Sequence, residues 1–140
     1  MTWRARTVWQ AAFALALVAH LAILYWPRTA GPTDGPGLDK VVHATTFGSV
    51  AYLGLRAGLA ARWLLPLVAA HAAVSEVVQA LLLPHRSGDW RDVVADLVGV
   101  ALAAAAWLAA NRPARASWSR DRSGAGDPHG PAAGGDTRAG

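Results

Sequence analysis

The sequence predicts an all-α integral membrane fold, a four-helix transmembrane bundle with short loops and a disordered C-terminal tail, and three observations predict it. Hydrophobic residues make up 54% of the 140 positions and charged residues only 16%, too apolar a balance for a soluble domain of this size. The apolar residues fall in four blocks, each close to the ~20 residues that cross a bilayer as a helix. The basic residues lie at block ends or in the tail, so the net charge of +4 reads as membrane topology and no nucleic-acid partner is expected. With no Cys in the chain, disulfides, thiolate chemistry and Cys-based zinc sites are excluded.

The first block, residues 8–26, has Gln10 and His20 as its polar interruptions and follows Arg4 and Arg6. A basic start before an apolar core also describes a signal peptide. The block is long for one and lacks a good A-x-A cleavage site, so we expect an uncleaved transmembrane helix. His20 has no partner at helical spacing and is expected to be a packed or lumen-facing histidine rather than a ligand. Residues 27–38 contain Thr-Ala-Gly-Pro-Thr-Asp-Gly-Pro-Gly, whose Gly and Pro cannot continue a helix, and form a loop. Further spans are expected over residues 39–61, 63–83 and 90–110. Together, residues 1–111 form the membrane domain. From 112 to 140 the chain turns to Pro, Ala, Arg, Ser and Gly, a composition that buries too little apolar surface to fold; its arginines suit anionic headgroups.

Summing basic residues on alternate sides gives nine (Arg4, Arg6, Arg56, Arg62, Arg112, Arg115, Arg120, Arg122, Arg138) against four (Arg28, Lys40, Arg86, Arg91). Both termini are therefore expected in the cytoplasm, in a bacterial plasma membrane, with loops 27–38 and 84–89 outside. Arg56 sits where its stem can snorkel to the headgroups. Trp9, Trp26, Trp63, Trp90 and Trp107 fall at or near proposed helix ends, the interfacial zone that indole prefers. Gly54/Gly58 and Ala95/Gly99/Ala103 recur at four-residue spacing and permit close helix approach.

Ionisable residues within apolar helices are costly, because hydrocarbon offers no water, and they mark functional sites. Asp39 and Lys40 open the second helix, and His43 lies about 6 Å deeper at the helical rise. Glu76 and Gln79 lie roughly 10 and 6 Å from the outer end of the third helix, and Asp92 and Asp96 about 3 and 9 Å into the fourth. All fall in one shallow slab. Asp39, His43 and Phe47 are four apart, Glu76 and Gln79 three apart, and Asp92, Asp96 and Gly99 four then three apart, so each set shares a helix face. Those faces should turn toward one another, with Arg86 in the outer loop able to reach the carboxylates. Blander roles exist: Asp39 and Asp89 as N-caps, Asp92 favouring the helix dipole, Gln79 as an interhelical hydrogen bonder, His71 as packing. Capping cannot explain Glu76 or Asp96, for which the bland alternative is a buried network with Arg86, Lys40 and His43 that pins helix register.

These residues resemble the VanZ-like membrane proteins, whose pattern runs D-K-x-x-H-x-x-x-F, E-x-x-Q, a loop Arg, and D-x-x-x-N-x-x-G. Here it reads Asp39-Lys40-Val-Val-His43-Ala-Thr-Thr-Phe47, Glu76-Val-Val-Gln79, Arg86 and Asp92-Val-Val-Ala-Asp96-Leu-Val-Gly99, within residues 39–105. Asp96 departs from the usual Asn and adds a titratable carboxyl. The resemblance implies a bacterial cell-envelope protein; the founding member is associated with low-level resistance to the glycopeptide teicoplanin.

Two kinds of function are expected from the cluster. The first is binding or modulation of a lipid-linked envelope component or glycopeptide, through Asp39, Lys40, His43, Glu76, Gln79, Arg86, Asp92 and Asp96. The alternative is an intramembrane enzyme using His43 with Glu76 or Asp96 as an acid/base pair, although no nucleophile motif accompanies them and Thr45, Thr46 and Ser75 read as ordinary helix hydroxyls. No cofactor and no metal are expected, a ligand set of Asp39, His43, Glu76 and Asp96 being chemically conceivable. A transporter would need oligomers, since four helices leave little room for alternating access. Membrane lipids are the expected partners, and the oligomeric state is open.

Overall fold

The computed structural model describes residues 2–26, 37–83 and 88–112. Within them lie four helices, α1 (Trp3–Tyr25), α2 (Leu38–Arg56), α3 (Ala61–Leu82) and α4 (Trp90–Ala110). α1, α3 and α4 are each long and apolar enough to cross a membrane. Their outward faces carry Leu15, Leu67, Leu81, Leu102 and other exposed large aliphatics, a surface suited to lipid. Trp3, Trp26, Trp63 and Trp90 are exposed at helix ends, where an interfacial belt would place them.

α2 is long enough but not apolar enough to meet the same measure. Its 19 residues include Asp39, Lys40 and Arg56. Packing accounts for this composition: α2 lies most extensively against α4, and also against α1 and α3. Phe47, Val50, Ala51 and Leu55 of α2 meet Leu24, Leu64, Val68, Ala72, Val100 and Ala103 in the buried core. A helix covered by its neighbours need not be apolar all round.

Two boundaries differ from the sequence expectation. α1 begins at Trp3 rather than residue 8, because the Thr2 side chain caps it by accepting from the Ala5 N–H at 3.4 Å. α2 stops at Arg56 rather than running to residue 61. Gly58 has φ +92°, its N–H donates to the Leu55 carbonyl at 3.1 Å, and the Leu59 N–H reaches back to the Gly54 carbonyl at 3.0 Å. This is a Schellman cap, whose left-handed position favours glycine. Gly58 therefore ends a helix, and of the Gly54/Gly58 pair only Gly54 serves close approach: a Cβ there would lie 2.7 Å from Leu64 Cδ2 and 3.1 Å from Phe13 Cε2.

Close approach is tightest where α2 crosses α4. A Cβ on Gly99 would run into the Ala44 carbonyl oxygen, and one on Gly48 would lie 3.0 Å from the Gly99 carbonyl oxygen. The backbones thus touch one turn beyond Asp96. At the other end of α2, the Arg56 guanidinium lies 4.2 Å from the Trp9 ring centroid and Nη1 donates to the Tyr52 hydroxyl at 3.4 Å. Arg56→Ala is expected to reduce stability by about 1 kcal/mol, and Arg56→Lys by less, measured by thermal unfolding in detergent.

Candidate functional site

The N-terminal ends of α2 and α4 and the C-terminal end of α3 lie together, which brings their polar faces into one cluster. His43 is central. Its Nδ1 is 3.1 Å from Asp96 Oδ1 and 3.8 Å from Glu76 Oε1, linking α2 to both neighbouring helices. All three side chains are buried: His43 is 3% exposed, Glu76 6% and Asp96 0%. One turn nearer the helix ends, Lys40 Nζ donates to Asp92 Oδ1 at 2.9 Å and to Asp89 Oδ2 at 3.4 Å. Asp39 joins on the α2 side; one carboxylate oxygen each from Asp39 and Asp92 and one His43 nitrogen lie within 4.8 Å of one another. Gln79 is buried one turn along α3 from Glu76.

Seven of the eight residues expected at the site are thus placed at one end of the bundle, as the depth and face arithmetic requires. Arg86 lies outside the described residues. The bland roles hold in part: the N-cap of α2 is Gly37, and Asp39 lies in the first turn instead of capping it. Asp89 is the N-cap of α4, its Oδ1 accepting from the Arg91 N–H at 2.9 Å. That hydrogen bond, with help from Lys40, holds the Asp89 carboxyl below the usual carboxylate range. Asp92 does more than favour a dipole, since it pairs with Lys40. His20 and His71 pack as expected, against each other and against Phe47, with ring centroids 4.5 Å (His20–Phe47) and 5.3 Å (His20–His71) apart. Phe47, one turn along from His43 and fully buried, forms the apolar floor beneath the cluster.

Two contributors lie beyond the reach of side-chain pattern matching. The Asp89 backbone N–H donates to Glu76 Oε2 at 2.9 Å, so the start of α4 holds the α3 carboxylate through a main-chain group. Gly88 makes this approach feasible, because a Cβ there would lie 2.8 Å from the Glu76 carbonyl oxygen and 3.0 Å from Ala80 Cβ. A glycine directly before an N-cap aspartate is the sequence signal for it. The hydroxyls, by contrast, are engaged locally: Thr46 Oγ1 donates to the His43 carbonyl at 3.0 Å and Ser75 Oγ to the Ala72 carbonyl at 2.9 Å.

The cluster is rich in acceptors. Lys40 faces Asp89 and Asp92, His43 faces Glu76 and Asp96, and among the described residues Glu76 Oε1 and Asp96 Oδ2 have no hydrogen-bond partner. Buried carboxylate oxygens normally have one, so these two stand ready for a donor or a cation. Beside the cluster, an apolar groove of about 580 Å³ follows the α2–α4 seam from Ala44 and Gly99 to Leu53 and Ala106, with Thr45, Ser49 and Tyr52 among its walls. It starts one residue past His43 and three past Asp96.

No curated protein and no solved structure matches the chain. The family model VanZ/LLP1 matches residues 2–111, which take in all four helices and every residue of the polar cluster. Over that whole helical region, with its D-K-x-x-H, E-x-x-Q and D-x-x-x-D-x-x-G segments converging on one site, the chain belongs to the VanZ/LLP1 family.

Proposed function

We propose that this VanZ-like envelope protein binds the headgroup of a lipid-linked envelope component, or a glycopeptide, at the polar end of the bundle. The observation that carries this is the buried, acceptor-rich cluster with Glu76 Oε1 and Asp96 Oδ2 unpartnered among the described residues. Sugar hydroxyls and ammonium groups are hydrogen-bond donors, the complement of such a surface. An apolar groove opening within a turn of the cluster suits the lipid part of the same molecule. In this reading α2 is a fourth span, shielded by its neighbours. The excess of Lys and Arg on the side of the termini supports cytoplasmic termini and a cluster at the outer face.

A second reading has one observation in its favour. His43 between two carboxyls is an arrangement that general acid/base chemistry uses, and a lipid-linked precursor would be its substrate. Binding is the better reading, because the Thr46 and Ser75 hydroxyls near His43 and Glu76 in the chain are tied to backbone carbonyls rather than to the imidazole.

The test uses a strain whose envelope or antibiotic phenotype depends on this chain. Glu76→Ala and Arg86→Ala, at normal membrane abundance, are each expected to abolish most of the phenotype. Full phenotype in both variants would refute the binding site.

A further inference from the structure

His43, Glu76 and Asp96 share a geometry that headgroup binding does not require. One ligand atom from each, a ring nitrogen and two carboxylate oxygens, lies within 4.8 Å of the others, all three side chains being buried. Ligands bonded to one transition-metal ion at about 2.0–2.2 Å stand no more than roughly 4.3 Å apart. The His43–Asp96 and His43–Glu76 separations of 3.1 and 3.8 Å fall inside that limit. We propose that His43, Glu76 and Asp96 form a binding site for a divalent transition-metal ion of the Zn²⁺ or Mn²⁺ class.

Three further considerations support the assignment. Two oxygens without a hydrogen-bond partner among the described residues belong to this trio: Asp96 Oδ2 on a fully buried side chain, and Glu76 Oε1 at 6% exposure facing His43 Nδ1. A cation that engages Glu76 Oε1 and both oxygens of the Asp96 carboxylate, Oδ1 facing His43 and Oδ2 unpartnered, would satisfy both. Charge points the same way, because two carboxylates and a neutral imidazole sum to −2, which a divalent ion cancels. A neutral assembly is the state that an apolar, membrane-embedded surround tolerates best. Lys40 is held by Asp92 and Asp89 one turn nearer the helix ends. One imidazole with two carboxylates selects ions of intermediate softness over Mg²⁺ and Ca²⁺, which favour all-oxygen shells. Three protein ligands also leave a coordination position for water or a headgroup oxygen.

The other end of one ligand is already fixed. Glu76 Oε2 accepts the Asp89 N–H at 2.9 Å, leaving Oε1 for the metal. This is the kind of outer support that metal-ligating carboxylates receive. The second trio, Asp39, His43 and Asp92, is a poorer site, since Asp92 is committed to Lys40 at 2.9 Å.

The experiment uses the full chain in lipid nanodiscs, stripped with chelator and titrated with Zn²⁺, Mn²⁺ and Mg²⁺, with bound metal counted by elemental analysis. Co²⁺ absorption in the unsubstituted protein gives a readout that depends on no variant. The expected result is one Zn²⁺ or Mn²⁺ per chain, preference over Mg²⁺, and visible Co²⁺ bands. Glu76→Gln and Asp96→Asn should each weaken binding at least roughly tenfold with helix content unchanged. Absence of stoichiometric metal and of Co²⁺ bands would overturn the proposal, and balance of the carboxylates by Arg86 or by a shared proton would give that result. Equal binding by the parent and both ligand variants would overturn it too, by showing that the ion sits elsewhere.

Discussion

Among the described glycines, Gly99→Ala is expected to be the most damaging substitution. Its Cβ would collide with the Ala44 carbonyl oxygen and lie 2.9 Å from Ala44 Cα, so the new atom meets backbone rather than a side chain that could turn away. Overpacking a close-packed interior costs about 1–3 kcal/mol when side chains can adjust. Here the two helices must separate, which puts the effect at or above the upper end of that range. Gly48→Ala faces the same seam from α2, but its Cβ would stand 3.0 Å from the Gly99 carbonyl oxygen and should cost less. Thermal unfolding of full-length protein in one detergent should rank the parent above Gly48→Ala and Gly48→Ala above Gly99→Ala. Because Asp96 lies one turn from the crossing, Gly99→Ala should also disturb the His43–Asp96 pair, so envelope function should fall even in a lipid that rescues folding.

The second large effect is expected at Asp96. Removing the acceptor from a buried hydrogen-bonded pair leaves the other group unsatisfied and costs about 1–3 kcal/mol. Asp96→Ala would do this to His43, whose Nδ1 is 3.1 Å from Asp96 Oδ1. Asp96→Asn keeps an oxygen that accepts from the imidazole N–H, so its loss should stay within about 1 kcal/mol. The asparagine is also the residue that the VanZ-like pattern usually carries at this place. Urea unfolding monitored by helix content should separate the two variants clearly. Near-equal destabilisation would mean that the His43 contact contributes little to the fold.

The convergence of the polar residues is legible in the amino-acid sequence for a physical reason. Depth follows from counting residues at a fixed rise, and face from a period of 3.6, so Asp39, His43, Glu76, Asp92 and Asp96 can be assigned to one slab and to inward faces. Partner choice is not legible in this way. Whether His43 meets Asp96 or Asp92 depends on the rotation of α2 against α4, and that is set by the Ala44–Gly48–Gly99 crossing, which a one-helix pattern does not encode. The Asp89 N–H to Glu76 contact is hidden because it uses a backbone donor, invisible to a search for matching side chains. Length misleads at α2: some twenty largely apolar positions suggest a span to residue 61, while Gly58 carries the stop signal within a four-residue spacing that imitates a packing motif. The polar content of α2 is likewise explained by its neighbours rather than by its own periodicity. Within α1, α3 and α4, where lipid rather than protein meets much of the helix, hydropathy alone is sufficient.

A headgroup site at the polar end of a lipid-facing bundle is tested most directly by what the protein holds. Full-length protein and the Glu76→Gln variant would be extracted in mild detergent, incubated with total membrane lipid from the same cells, and compared by native mass spectrometry. The parent should retain a lipid-linked saccharide or amine-bearing envelope component well above its share of the lipid mixture, and Glu76→Gln should lose that enrichment while remaining folded. Identical spectra of bulk phospholipid from both proteins would contradict a binding role for the cluster.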